Sequence, residues 1–263
     1  MSQFPRTARP FTPAEAAAVR RFDPTPRRHY QLASVAVSGA SRLLMQGMNR
    51  VDVNGQASFD AARAAQGPGR GLLTFSNHVG LFDDPWLLAC FAGSEWTGLR
   101  WVTADALNFF DRPWKAAVSN AGKAVPIVRG AGLDQFGMHF LADRLREGEW
   151  VHVFPEGGRT RHPEGRLRSP LKPGIAHLVR AARPVLLPFH HQGMHEVLPI
   201  GARLPRVGRT VTLRFGHGRA SDDGLADQDE AQIMAWVEEQ LLGLEARTLA
   251  TQTTTARPAH SAS

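Results

Sequence analysis

Between residues 72 and 244, apolar runs of three to five residues alternate with stretches whose apolar residues recur at helical spacing, a pattern that an α/β sheet flanked by helices satisfies. Leu72–Phe75, Trp101–Thr103, Ala124–Val128, Trp150–Phe154, Val185–Phe189 and Val211–Phe215 read as strands. Between them Pro85–Ala92, Leu133–Arg146 and Lys172–Arg180 read as helices. A last helix over Asp229–Leu244 carries Ile233, Trp236, Val237, Leu241 and Leu244 on one stripe. The length, 263 residues, suits one large core. In such folds chemistry sits where strands run out into loops.

The flanks read differently. Residues 1–28 carry five prolines, several arginines and no apolar periodicity, so a disordered basic arm is expected, with a transit peptide as the alternative. Residues 248–263 are Thr/Ala/Ser-rich and read as a disordered tail, which leaves 29–247 as the domain. A membrane span needs ~20 consecutive apolar residues, and no stretch reaches that. Tyr30–Met48 contains Arg42 and reads as a helix lying along a surface, with Leu32, Val35, Val37, Leu43, Leu44 and Met48 available for burial in a bilayer face or in the protein's own core. The lone cysteine, Cys90, excludes an internal disulfide and a cysteine-based zinc site.

Charge is concentrated. Residues 157–219 hold twelve basic side chains against Glu164 and Glu196, whereas 220–245 hold eight acids and no Lys or Arg. A basic region of that size wants an anionic partner: nucleic acid, anionic lipid or a phosphate-bearing substrate. Arginine supplies 28 of the 31 cations, which suits bidentate phosphate binding and equally reflects the Ala/Arg/Gly-rich usage of a GC-rich genome.

The best candidate chemistry lies in Thr74-Phe-Ser-Asn-His-Val-Gly-Leu-Phe-Asp-Asp-Pro-Trp86. A strand ends near Phe75, and Asp84 with Pro85 reads as N-cap and first helical position. His78 then lies in the connecting loop and Asp83 at the helix mouth. On a continuous helix the two would point about 140° apart, so contact requires the loop to fold back. In that arrangement the carboxylate holds one imidazole nitrogen and the other, with an unperturbed pKa of ~6.5, accepts a hydroxyl proton from a substrate. The plain structural reading is a loop histidine beside a capping Asp-Asp-Pro. Ser76 does not read as a nucleophile, because the chain contains no G-x-S-x-G elbow.

Asn77-His78 followed by Asp83-Asp84-Pro85 resembles the H-x-x-x-x-D signature of glycerolipid acyltransferases, in the form of their tafazzin-like branch. Three more blocks follow in the family's order: Gly122-Lys-Ala-Val-Pro-Ile-Val-Arg-Gly130, Trp150-Val-His-Val-Phe-Pro-Glu-Gly157 and Leu187-Pro-Phe-His-His-Gln-Gly-Met-His-Glu-Val-Leu-Pro199. The resemblance implies a mixed sheet with helices on both faces and an N-terminal interfacial helix. It makes His78 the general base, Asp83 its orienting partner and Arg129 a ligand of the acceptor's phosphate. Glu156 and Gly157 would shape the acceptor site, Glu156 otherwise being a structural hydrogen bond at a strand end. Phe-Pro-Glu-Gly157 continues as Gly158-Arg159-Thr160-Arg161, closer to the F-P-E-G-T-R-S of 1-acylglycerol-3-phosphate acyltransferases. Arg159 is therefore a second phosphate candidate, and the donor stays open between a phospholipid and an acyl thioester of CoA or carrier protein. His190, His191 and His195 of the last block are considered as metal ligands and set aside, since no H-E-x-x-H is present and acyl transfer needs no metal.

The implied activity is acyl transfer to a lysophospholipid hydroxyl, as in cardiolipin or phosphatidylglycerol remodelling, without a cofactor. The implied setting is an anionic membrane surface, the inner face of a bacterial cell membrane or, as a lesser alternative, a mitochondrial one. Three other classes remain as alternatives: a nucleic-acid-binding protein, for which no interleaved aromatic-basic module is present; a non-catalytic lipid-binding scaffold; and a lipase, which lacks its elbow serine.

Overall fold

The computed structural model describes residues 9–92 and 95–255. In chain order, α1 (Pro13–Val19) and α2 (Arg28–Arg42), the latter extended by a wide turn over Leu43–Gly47, precede β1 (Arg50–Asn54), α3 (Gln56–Ala64) and β2 (Leu72–Phe75). Next come α4 (Asp83–Phe91), β3 (Trp101–Asp105), α5 (Ala106–Phe109), α6 (Pro113–Ala121), β4 (Ala124–Ile127), α7 (Phe136–Arg146) and β5 (Trp150–Val153). The chain closes with α8 (Gly174–Ala182), β6 (Val185–Gln192), α9 (Met194–Val197), β7 (Thr210–Phe215), β8 (Arg219–Ala220) and α10 (Glu230–Thr255).

Among the described residues, the strands form one mixed sheet in the order β1-β7-β6-β2-β5-β3-β4, with β8 on β6. Strands β6, β2, β5, β3 and β4 run parallel, so their C-terminal ends share one edge. Strand β6 changes partners along its length. Val185–Pro188 pairs with β2, and Phe189–Gln192 pairs antiparallel with β7. Pro188 marks the handover, and its carbonyl accepts from Gly216 N–H at 2.8 Å.

Alternation along the strands fills both faces. Leu73, Phe75, Val151, Val153 and Leu186 pack with residues of α7, α8 and α10. Leu72, Trp150, Val185, Leu187 and Phe189 pack on the other face with Phe59 of α3 and Leu87 and Leu88 of α4. This is the mixed sheet with helices on both faces that the sequence implies.

Residues 9–28 correct the expected basic arm. Thr12 and Glu15 form a capping box at the start of α1, and Glu15 pairs with Arg9 at 2.7 Å. The Phe22 ring lies within 6.3 Å, centroid to centroid, of Trp101, Phe110, Phe136 and Phe140. A helix cap and an aromatic anchor outweigh the prolines. At the other end α10 runs to Thr255, past the expected boundary at 247. Residues 1–8 of the arm and 256–263 of the tail lie outside the described residues.

Helix α2 packs against α4 and α6 through an inverted face. Its buried residues are Tyr30, Ser34 and Ser41, whereas Leu32 is 72% exposed and Val35, Val37, Leu43 and Met48 are exposed with it. The alternative of burial in the protein's own core therefore fails for these five. Arg42 ties this helix to α4 by donating to the carbonyls of Ala89 and Ala92, both at 2.8 Å.

A fully buried Phe→Ala change costs ~3–5 kcal/mol. Phe22 is half-buried, so Phe22→Ala is expected to cost about half that in a urea titration. No change would mean that residues 9–28 contribute nothing to the folded domain.

Candidate active site

Strand β2 ends at Phe75, and the next two residues stay buried as the sheet opens. Asn77 fills the gap where β6 turns from β2 toward β7. Its side chain donates to the carbonyl of His191 (2.9 Å) and accepts from His191 N–H (3.0 Å), replacing a rung of the ladder. His78 follows. The chain then folds back because Asp83, first residue of α4, collects the N–H groups of Val79 (2.7 Å) and Gly80 (2.8 Å) on Oδ2. Oδ2 also lies 3.0 Å from His78 Nδ1. A carboxylate can only accept here, so the imidazole proton sits on Nδ1 and Nε2 keeps its lone pair. A Cβ on Gly80 would stand 2.6 Å from Asp83 Oδ1, so the turn admits no side chain there.

Burial separates the partners. Asp83 is fully buried, while the His78 side chain is 18% exposed and stacks on Phe154 with centroids 4.0 Å apart. Burial pushes the Asp83 carboxyl up, but His191, His78 and the Gly80 N–H together outweigh it, so the group sits below its ordinary value. The pair is thus an ionised carboxylate holding a partly exposed imidazole.

The loop after β5 is stitched to this one. Glu156, also fully buried, accepts from His78 N–H on Oε1 (2.6 Å) and from Arg168 N–H on Oε2 (3.0 Å). Thr160 N–H donates to the His78 carbonyl at 2.7 Å. Both Glu156 oxygens are engaged by backbone, which makes the residue a brace between loops. Burial, opposed by those hydrogen bonds, raises its carboxyl to about 7. Gly157 takes a left-handed turn (φ 65°), and its N–H is taken by the Phe154 carbonyl at 2.9 Å.

Arg129, two residues past β4, is 60% exposed and pairs with Asp105 at the end of β3 (2.9 Å). Its guanidinium and that of Arg168 converge on Gly158, each with an Nη2 3.7 Å from where a Cβ would be. Arg168 Nη2 is held by the Glu156 carbonyl at 2.6 Å. Arg159, the residue after Gly158, is exposed. Arg168 escapes a sequence reading because nothing in its spacing separates it from the other arginines of the basic stretch.

Asp84 corrects the expected helix cap. Helix α4 starts at Asp83, two residues before the expected Pro85, and Asp84 instead forms a buried ion pair with Arg100, whose Nε donates to Oδ1 at 2.7 Å and whose Nη2 meets Oδ2. Burial lowers the Arg100 guanidinium to about 9. Ser76, Asp83, Asp84, Leu87, Leu88, His152, Phe154 and Phe189 line a narrow, partly open crevice of about 10 Å³ beside the dyad. The His152 imidazole, bonded to Thr74 Oγ1 at 2.9 Å, is held well below its ordinary value by burial. Among the described residues, no group of three or more His, Cys, Asp or Glu could hold a metal.

Removing one partner of a buried ion pair costs ~3–5 kcal/mol, because the survivor stays buried and uncompensated. Asp84→Asn is expected to lose that much in chemical denaturation. The double variant Asp84→Asn/Arg100→Met is expected to recover most of it; a D84N protein as stable as the parent would show that the pair carries no load.

The sequence over residues 50–192, from the start of β1 to the end of β6, matches the family model described as Acyltransferase, more than half of the chain. The chain is 32% identical over 170 residues to an N-acylphosphatidylethanolamine synthase of Arabidopsis thaliana, covering 63% of this chain and 59% of that protein. It is 28% identical over 209 residues to tafazzin of Drosophila melanogaster (77% and 54% covered) and 31% over 157 residues to taffazin of Dictyostelium discoideum (56% and 54%). It thus spans between about half and three-fifths of these relatives. The fold is similar to that of PlsC, the 1-acyl-sn-glycerophosphate (LPA) acyltransferase of Thermotoga maritima, with a TM-score of 0.58 at 19% identity and 84% of each chain covered. The family match runs through the strands and loops that bring His78, Asp83 and Glu156 together, and on it this chain belongs to the acyltransferase family.

Proposed function

We propose that the protein transfers a fatty acyl chain onto the hydroxyl of a lysophospholipid at a membrane surface. The observation that carries this is the partly exposed imidazole of His78, its Nδ1–H held by a buried carboxylate. In the proposed mechanism Nε2 takes the proton from the acceptor's hydroxyl as that oxygen attacks the donor's acyl carbonyl. Asp83 stabilises the imidazolium that forms. When the tetrahedral intermediate collapses, the bond to the donor's oxygen breaks and Nε2 returns the proton to it, so no net proton is gained or lost. The oxyanion needs N–H donors. Gly157 N–H is already committed to Phe154 and cannot be one, which leaves the Gly158 N–H and the start of α4.

Arg129 and Arg159 are the proposed ligands of the acceptor's phosphate, and Gly157 with Glu156 the shapers of that side of the site. A phospholipid donor follows the tafazzin likeness; an acyl thioester is the variant that the Gly158-Arg159-Thr160 stretch favours. The plant relative, by its name, makes N-acylphosphatidylethanolamine, so an amine acceptor is the second reading.

The surface argues for a bilayer. Leu32, Val35 and Val37 of α2, with Leu81 and Phe82 in the His78 loop, are exposed, and no helix among the described residues is long and apolar enough to cross a membrane. The crevice beside the dyad, about 10 Å³, is barely the room of one water and too little for a fatty acyl chain. The acyl chain stays in the lipid phase. A monotopic seat on an anionic leaflet, the cytoplasmic face of a bacterial cell membrane, fits these features and the basic surface.

The test uses purified protein, phosphatidylglycerol- or cardiolipin-containing vesicles and labelled lysophospholipid, with and without acyl-CoA. Labelled diacyl product without CoA is expected, and a folded His78→Ala variant is expected to be slower by ~10²–10⁴-fold. Near-normal transfer by that variant would overturn the assignment, product only with acyl-CoA would replace the donor, and label appearing only on added phosphatidylethanolamine would replace the acceptor.

A further inference from the structure

His191 sits on the part of β6 that has left β2 and pairs with Leu213 of β7, and its side chain is wholly buried. Its Nε2 lies 3.0 Å from the carbonyl oxygen of Asn77 and 3.6 Å from Asp83 Oδ2. A carbonyl only accepts, so the proton is on Nε2, and Nδ1 has no hydrogen-bond partner among the described residues. Together with the two bonds between the Asn77 amide and the His191 backbone, three hydrogen bonds join residue 191 to the residue immediately before His78.

We propose that His191 is a positioning residue for the base: as a neutral Nε2–H donor it fixes the backbone from which His78 projects and stands against the carboxylate that His78 uses. The proposal rests on the acyl-transfer reading above and adds a residue to it. Neutrality matters. A cationic His191 would hold the Asp83 carboxyl down by its charge, competing with the His78 imidazolium and weakening the base; neutral, it leaves that hold to His78 and the backbone N–H groups. The groups facing His191 are Asp83 of α4, His78 of the loop after β2 and His195 of α9, with His190 beside it on β6. Asp83 and the Asn77 carbonyl favour a cation, but burial, the larger effect, holds the His191 imidazole below its ordinary value. A histidine present only to fill space could be replaced by any residue of its volume without touching the titration of His78. Here its donor lies between the His78 backbone and the dyad carboxylate, so its loss reaches both.

The deciding measurement is nitrogen NMR on the full chain with labelled imidazoles. His191 is expected to stay neutral with its proton on Nε2 between about pH 5 and 8. Titration in that window, or a proton on Nδ1, would overturn the proposal without reference to activity. The variants add a second arm. His191→Gln, which restores an N–H near the Nε2 position, is expected to keep kcat within about threefold, whereas His191→Phe is expected to lower kcat by ~10–100-fold at unchanged KM. In His191→Phe the His78 titration is also expected to move upward, because the carboxylate loses a neighbouring donor. If the parent protein transfers acyl chains and His191→Phe matches it in kcat and in the His78 titration, the positioning role fails and the acyl-transfer reading stands. If the parent transfers nothing, that reading fails, and the tautomer measurement still decides whether His191 is the neutral donor described.

Discussion

One oxygen atom organises the site. Asp83 Oδ2 accepts two backbone N–H groups and one imidazole N–H within 3.0 Å. A buried carboxylate without such donors would be strongly destabilised or neutralised. With them it stays ionised and sets the shape of the five-residue turn, the tautomer of His78 and the first residue of α4. Everything proposed about proton transfer depends on that charge surviving burial.

The second constraint is the cross-bracing of loops that leave the sheet at the same edge. Glu156 joins the His78 loop to the Arg168 loop, Thr160 joins the loop after β5 back to His78, and Asn77 joins β2 to β6. Each brace is a buried polar group satisfied by backbone, and each holds because the parallel strands set their ends side by side. Arg129 belongs to this edge for the same reason, being anchored by Asp105 at the end of the neighbouring strand.

Much of this was legible in the residues, and the failures have physical causes. Six apolar runs are strands, because short apolar segments bounded by breakers have few other uses. β1, Arg-Val-Asp-Val-Asn, escaped because its residues alternate with polar ones at the edge of the sheet. α1 is hard to see because five prolines in residues 1–28 mask the Thr12–Glu15 capping box. The pairing of His78 with Asp83 was visible as a spacing, but helical geometry alone sets the two apart; the turn onto Oδ2 closes the gap. His191 and Asn77 meet across 114 residues, and Glu156 and Arg100 find their partners through strand order. No local pattern encodes such contacts.

Helix α4 carries both ends of one mechanical problem. Its first residue is the acid of the dyad, and its last turn is gripped by Arg42 from the end of the helix whose outer side is apolar. Nine residues of α-helix form a stiff rod of about 13 Å. A tilt of α2 is therefore delivered along that rod to Asp83 and the imidazole it holds, so whatever rests on the exposed apolar side of α2 would be felt at His78.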